Sequence, residues 1–516
     1  MFGRILKPGR NCRDISEINK AGLLVDGHDY YRAFYHAALK AQSHIFISGW
    51  QFDSQVTLLR GDNLSEAKGE IRFLSFLNQL CARNPKLKIY ILAWDFSIIF
   101  FLEREWMQEW VFNWSSGDRL FFRFDNRHPI GASQHQKFVV IDGALAFLGG
   151  LDICAGRWDE RSHMPRNPDR VNPDGLAYEP YHDVQSYLTG PIVAELTETF
   201  KERWRNCTGE ELKPPPPLEG DYILENIGIP ISAKKAALSR TQASSLVPLQ
   251  NSISEIRNLY VDAIHKAKHL IYIENQYFSS YAIYRALAYR MENRTKPKLE
   301  IIIILPKRPH GFLEEISLGV PQTKMLESLM EIARRTGNKL GVYYPAGSLE
   351  DGSEIPVYIH SKVMLIDDKF LTMGSANTTN RSLGLDSELN VSWEAPLRTN
   401  FRMIRSLRRL RADLLSEHTG IKDEEGLKQL EAKEGIVEFL NRKANNPFYR
   451  HRLHDFGPSY NAELLSSLKL DNLILDPEKP IIEENLFEIL SPSSSLFVTG
   501  ITILKKWFMS KNSGYL

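Results

Sequence analysis

The sequence predicts an α/β protein made of two pseudo-symmetric halves. Each half reads as a mostly buried mixed sheet flanked by helices, and the two pack into one bilobal unit. Three observations carry this. The 516-residue chain matches itself, its apolar runs alternate with helical stretches, and a run of four prolines divides the copies.

The self-match comes first. KAQSHIFISGWQF (40–52) aligns without gaps to KAKHLIYIENQYF (266–278), and PKLKIYIL (85–92) to PKLEIIII (297–304). Each first string is a helix end running into a strand, and each second is a near-continuous apolar strand of the kind a sheet covered on both faces needs. A third pair, HQKFVVID (135–142) and HSKVMLID (360–367), closes each half. The divider GEELKPPPPLEG (209–220) cannot be helix interior or central strand. The first half is therefore placed at 20–212, the linker at 213–220, the second half at 221–416 and a less patterned C-terminal extension at 417–516.

Composition narrows the class. Hydrophobic residues at 43% and charged residues at 25% fit an ordinary globular protein, and a net charge of +1 argues against a general nucleic-acid binder. The four cysteines form no CxxC pair, so neither a zinc framework nor a disulfide scaffold is indicated, which suits a reducing compartment. No apolar run is long enough for a cleaved signal or a membrane span. The expected location is cytoplasmic or peripheral to a membrane, with a signal-independent export route left open. The apolar stretch Leu496 to Leu504 reads as a β-branched terminal strand, with an interfacial anchor at the following Lys505, Lys506, Trp507 and Phe508 as the alternative.

The chemistry concentrates in the third repeated pair. Side chains alternate along a strand, so His135 and Lys137 share a face, as do His360 and Lys362. Buried cations are costly unless an anion meets them. Two copies converging would suit one phosphodiester. Asp142-Gly143 is a hairpin-turn pair and Asp367-Asp368 occupies the same place, so residue spacing alone reads Asp142 and Asp367 as turn supports. The returning strands bring Gly149-Gly150 and Gly374-Ser375 back toward the His-Lys end, where backbone N–H groups could approach phosphate oxygens.

These residues resemble the HxKxxxxDxxxxxxG[GS]xN signature of the phospholipase D superfamily, present twice. The second copy, His360, Lys362, Asp367, Gly374, Ser375 and Asn377, fits throughout. The first, His135, Lys137, Asp142, Gly149 and Gly150, departs only where Asp152 stands in the place of Asn377. GGLDICAGRWDE (149–160), PYHDVQSYLTGP (180–191), IYIENQYF (271–278) and NRSLGLDSELN (380–390) are similar to the eukaryotic-type branch. No further lipid-binding module of that branch is visible.

The resemblance implies a phosphodiesterase with a covalent phosphohistidine. It counts His135, Lys137, Asp142, His360, Lys362 and Asp367 as the catalytic set, with His135 as nucleophile and His360 as general acid. Gly149, Gly150, Gly374, Ser375 and Asn377 would meet phosphate. Each His needs a carboxylate on its other nitrogen; Glu388 is assigned to His360 and Asp183 to His135. No cofactor and no metal is expected, and none of the usual ligand spacings appears. A phospholipid surface is the expected partner, with water or an alcohol as acceptor. No nucleic acid is expected, and a monomer would suffice because both motifs lie on one chain.

The leading function is a phospholipase D releasing phosphatidic acid and a headgroup alcohol, with transphosphatidylation as a second outcome. The alternatives are a cardiolipin synthase-like phosphatidyltransferase, a metal-independent nuclease of the same superfamily, and a catalytically silent membrane scaffold. Trp50, Phe52, Trp94, Trp158, Tyr277 and Phe278 would line an acyl cleft or belong to the core. A helix at 401–415 would pack Phe401, Ile404, Leu407, Leu410 and Leu414. Its arginines Arg402, Arg405, Arg408, Arg409 and Arg411 would form a solvated basic face or meet anionic lipid. Residues 307–322 read as a rim or lid loop.

Overall fold

The computed structural model describes residues 4–95, 111–113, 117–129, 131–218, 220–246, 249–309, 318–395, 399–454 and 476–479. Residues 310–317 of the expected lid and the C-terminal stretch 496–508 lie outside them.

The architecture is α/β with two large mixed sheets. The first runs Ile229–Pro230, Ala21–Val25, Val184–Thr189, Leu145–Gly149, Phe138–Ile141, His44–Gly49, Lys88–Trp94, Leu120–Asp125. The second runs Ile15–Glu17, Lys235–Gln242, Glu388–Glu394, Phe370–Gly374, Val363–Ile366, Leu270–Glu274, Glu300–Ile304, Lys339–Ser348, Glu354–Pro356. The order is the same in both. The edge strands are exchanged: Ile15 pairs with Ala237 of the second sheet, and Ile229 with Leu23 of the first. The sheets therefore cross the boundary that the proline run suggests. His451–Leu453, from the expected extension, pairs with Lys339–Ser348 and joins the second sheet.

Period-two alternation sorts the strand residues between layers. In His44–Gly49, Phe46 faces the core between the sheets, while Ile45 and Ile47 face outer helices. In Leu270–Glu274, Tyr272 faces the middle and Ile271 and Ile273 face outward. The helices Ile192–Thr208 and Phe401–Thr419 fill the middle layer with Leu196, Phe200 and Trp204 from one and Leu407, Leu410 and Leu414 from the other. Each such fully buried side chain contributes about 1.5–3 kcal/mol. Both helices end on a left-handed glycine, Gly209 at φ 78° and Gly420 at φ 73°, which a Cβ would strain.

Both predicted hairpin turns form. Asp142 and Gly143 have φ 52° and 65°, and Asp367 and Asp368 have φ 56° and 55°. Two consecutive left-handed residues give the twist a two-residue hairpin requires, and Asp tolerates that region better than most residues.

Candidate active site

The His-Lys pairs sit just before their strands, in extended segments leading into Phe138–Ile141 and Val363–Ile366. Each segment pairs with the other half. The His135 amide donates to the Ser387 carbonyl (2.9 Å) and the His360 amide to the His182 carbonyl (2.8 Å). Tyr358–Ile359 runs parallel to Tyr181–His182. The residue that follows in each partner segment is a carboxylate, and this delivers it to the histidine across the molecular pseudo-dyad.

The carboxylate assignments are consequently the reverse of those expected. Glu388 Oε2 lies 2.9 Å from His135 Nδ1, and Asp183 Oδ2 lies 2.5 Å from His360 Nδ1. Both acids are completely buried. The sequence placed each acid with the His of its own half because the repeats were read as self-contained; the halves instead complete each other.

Ser375 and Gly150 occupy equivalent places and serve these acids. Ser375 Oγ donates to Glu388 Oε2 (2.5 Å). A Cβ on Gly150 would lie 2.2 Å from Asp183 Oδ1, so only glycine leaves that carboxylate room. The expected phosphate role of the backbone here is not supported. The N–H groups of Gly149, Gly150, Gly374 and Ser375 all donate to sheet carbonyls, those of Lys137, Val184, Lys362 and Leu389. Gly149 and Gly374 are there because neighbouring strands pass too close for a side chain.

Asp142 and Asp367 stand away from the rings, as the turn reading expected and the motif's catalytic grouping did not. Asp142 accepts from the amides of Gln42, Ser43 and His44 and from the Tyr222 hydroxyl. Asp367 accepts from the amides of Lys268, His269 and Leu270. Each ties the hairpin to the chain entering the neighbouring strand.

The two lysines differ. Lys137 Nζ donates to Asp152 Oδ2 (2.7 Å) and lies over the Trp50 ring. Lys362 Nζ donates to Gln276 Oε1 (3.2 Å) and to the His360 carbonyl, and among the described residues it forms no salt bridge. Burial lowers Lys362 to about 7, with Asp183 opposing. Burial also drives both imidazoles well below their ordinary range, assisted by Lys137 and Lys362 for His135 and by Lys362, Arg157, Lys137 and His135 for His360. Glu388 is pushed up to about 8 and Asp183 to about 6, again mainly by burial. Cations from both halves thus act on the same two rings. Asn377 is almost fully buried, and its Oδ1 has no hydrogen bond among the described residues.

Sequence reasoning missed several neighbours. The Tyr181 and Tyr358 rings flank His360 at centroid distances of 5.4 and 6.5 Å, and the Arg157 guanidinium lies over Tyr181. Gln276, which meets Lys362, lies in IYIENQYF, where nothing local marks it as a site residue. Of the six aromatics singled out, Phe52, Trp94, Trp158, Tyr277 and Phe278 are buried, while half-buried Trp50 stands beside Lys137. On the helix Phe401–Thr419, Arg411 is not a surface cation: it is buried against Asp368 (2.8 Å) and the Leu430 carbonyl, and Arg408 also reaches Asp368. Phe401, expected on the apolar face, is exposed. No helix among the described residues is long and apolar enough to cross a membrane.

Both copies of the motif fall within regions that match known families. Residues 260–410 match the family described as "Cardiolipin synthase, PLD-like domain", and residues 123–214 match "Phospholipase D". Phospholipase D alpha 1 of Nicotiana tabacum is 25% identical over 82% of this chain and 68% of its own length. The Oryza sativa subsp. japonica protein of the same name is 25% identical over 86% and 70%. Phosphatidylserine synthase of Haemophilus influenzae Rd KW20 superposes with a TM-score of 0.47 at 13% identity, covering 83% of this chain and 94% of that one. With its motif duplicated and both copies matched, the chain belongs to the phospholipase D superfamily and carries a core of the eukaryotic type.

Proposed function

We propose that the protein is a phospholipase D that hydrolyses a glycerophospholipid to phosphatidic acid and a free headgroup alcohol. The observation that carries this is the crossed pair of buried dyads, His135–Glu388 and His360–Asp183, with two buried lysines beside them. With each Nδ1 engaged by a carboxylate, each Nε2 is the atom left for substrate.

In this reading His135 Nε2 attacks phosphorus in the form of the site where Glu388 is ionised, the Nδ1 proton staying on the line to that carboxylate. The bond from phosphorus to the headgroup oxygen breaks, and that oxygen takes the proton of His360 Nε2. Water then gives a proton to His360 and attacks phosphorus, the N–P bond breaks, and phosphatidic acid leaves. An alcohol in place of water gives a phosphatidyl-alcohol. Lys137, Lys362 and Asn377 hold the non-bridging oxygens, and the anion restores charge that burial has drawn from Lys362. The partners are a phospholipid surface and the acceptor, and a monomer suffices. The match of 260–410 to the cardiolipin synthase domain favours a second reading, in which the acceptor is a lipid hydroxyl.

The test is incubation of the purified chain with phosphatidylcholine and a short primary alcohol, beside His135→Ala and His360→Ala. Phosphatidic acid plus phosphatidyl-alcohol, absent from both variants, supports the proposal. Product only when phosphatidylglycerol is supplied as acceptor would move it to the transferase. Cleavage of nucleic acid with no lipid turnover would sink it.

A further inference from the structure

Behind the Asp183–His360 pair lies a second cluster. Asp26, His163, His182 and Glu417 each offer one ligand atom, and the four atoms lie within 4.8 Å of one another. The residues are 0%, 1%, 0% and 6% exposed. They come from four separate segments, so no local spacing displays them. His182 and Asp183 are successive residues on extended backbone and face opposite ways, which puts the cluster behind the proposed catalytic pair.

The ring nitrogens are the puzzle. His163 Nδ1 meets Asp159 Oδ2 (2.9 Å) and its Nε2 meets Glu417 Oε1 (3.1 Å). His182 Nε2 meets Glu274 Oε2 (3.1 Å), and its Nδ1 lies 2.7 Å from Glu417 Oε1 and 3.0 Å from Asp26 Oδ1. A neutral imidazole carries one N–H and one lone pair. With carboxylate oxygens against all four nitrogens, each ring needs a second proton or a metal ion on its inner nitrogen. One divalent cation has the charge of those two protons.

Two details favour the ion. His182 Nδ1, close as it is to two carboxylate oxygens, is out of line for a hydrogen bond to either, and Asp26 Oδ2 accepts none among the described residues. Both atoms face the centre of the cluster. The outer contacts also follow the pattern that orients metal ligands: Asp159 on the far nitrogen of His163, Glu274 on the far nitrogen of His182, and Arg161 Nε on Glu417 Oε2 (2.6 Å). Asp26 and His163 hold their positions at φ 62° and 42°, strain that a functional constraint would justify. Tetrahedral zinc with bonds of about 2.0–2.1 Å sets its ligand atoms about 3.3 Å apart. Of the inner contacts, 2.7–3.5 Å, three lie within about 0.3 Å of that spacing, with Asp26 offering Oδ1 to His182 and Oδ2 to His163, and the shortest, His182 Nδ1 to Glu417 Oε1, must open by about 0.6 Å.

We propose that Asp26, His163, His182 and Glu417 form a buried structural site for one first-row divalent cation, zinc being the best fit to a two-imidazole, two-carboxylate set. The ion fastens the helix Phe401–Thr419 to the first half and takes no part in the proposed phosphoryl transfer.

The test needs no lipid, so its outcome is independent of the activity. The untagged full chain, purified without added metal or chelator, is analysed by inductively coupled plasma mass spectrometry, with Glu417→Gln and His135→Ala beside it. The expected result is about one zinc per chain in the wild type and His135→Ala, and less than about a tenth of that in Glu417→Gln. A strong chelator should lower the wild-type melting temperature and zinc restore it. Cobalt(II) should give the intense visible bands of a tetrahedral site. A metal-free wild type whose melting point ignores both zinc and chelator would overturn the proposal. So would zinc retained in full by Glu417→Gln. Should that variant fail to fold, the wild-type stoichiometry and cobalt spectrum decide.

Discussion

Glu388 and His135 are 253 residues apart and belong to opposite halves, yet the carboxylate lies 2.9 Å from the ring nitrogen. The reciprocal contact joins Asp183 to His360. Stability measurements should show the crossing. In a double-mutant cycle, His135→Ala and Glu388→Gln should couple by roughly 0.5–3 kcal/mol, while His360→Ala and Glu388→Gln should be near additive. Glu388→Gln should also lower kcat on lipid by about 10²–10⁴-fold.

Glu388 should mark the pH dependence of stability. Burial raises its folded pKa to about 8, whereas an unfolded Glu releases its proton near about 4.3. Between those values the folded state binds the extra proton, so this group's contribution is full below about 4.3 and is lost as pH rises toward 8. Glu388→Gln removes that loss. The melting temperature of the variant relative to wild type should climb steadily from pH 5 to pH 8; a constant difference would show that the acid is ionised in the fold.

Asp152 distinguishes the two lysines. It neutralises Lys137, while Lys362 contacts the neutral Gln276. Asp152→Asn leaves a buried cation without its partner and should cost about 3–5 kcal/mol. Inorganic phosphate should recover part of that loss in the variant and do less for the wild type, as read by thermal unfolding.

Asp142 should behave as a structural acid. Its carboxylate is held below its usual range by the amides of His44, Gln42 and Ser43, against the cost of burial. The stability it supplies is present above the ordinary Asp range and lost as pH falls through the depressed folded value. Asp142→Asn should lower stability by about 1–3 kcal/mol, leaving the pH profile of turnover unchanged in the folded fraction. A shifted profile would return Asp142 to the catalytic set.

The duplicated strings, the apolar strand runs and the two-residue turns at Asp142 and Asp367 were legible because they are local: alternation, hydrophobic runs and left-handed turn residues declare themselves within a few positions. His135, Lys137, His360 and Lys362 were legible because a His and a Lys two apart recur at the start of two apolar strands. Tertiary structure decided what lies across the pseudo-dyad. It set Glu388 on His135, consumed the Gly149 and Gly374 amides in the sheets, drew Arg411 into the interior and exchanged the edge strands Ile15–Glu17 and Ile229–Pro230. A repeat in sequence records which residues each half contributes. Which half uses them depends on how the two faces bury each other, and that is a property of the packed pair.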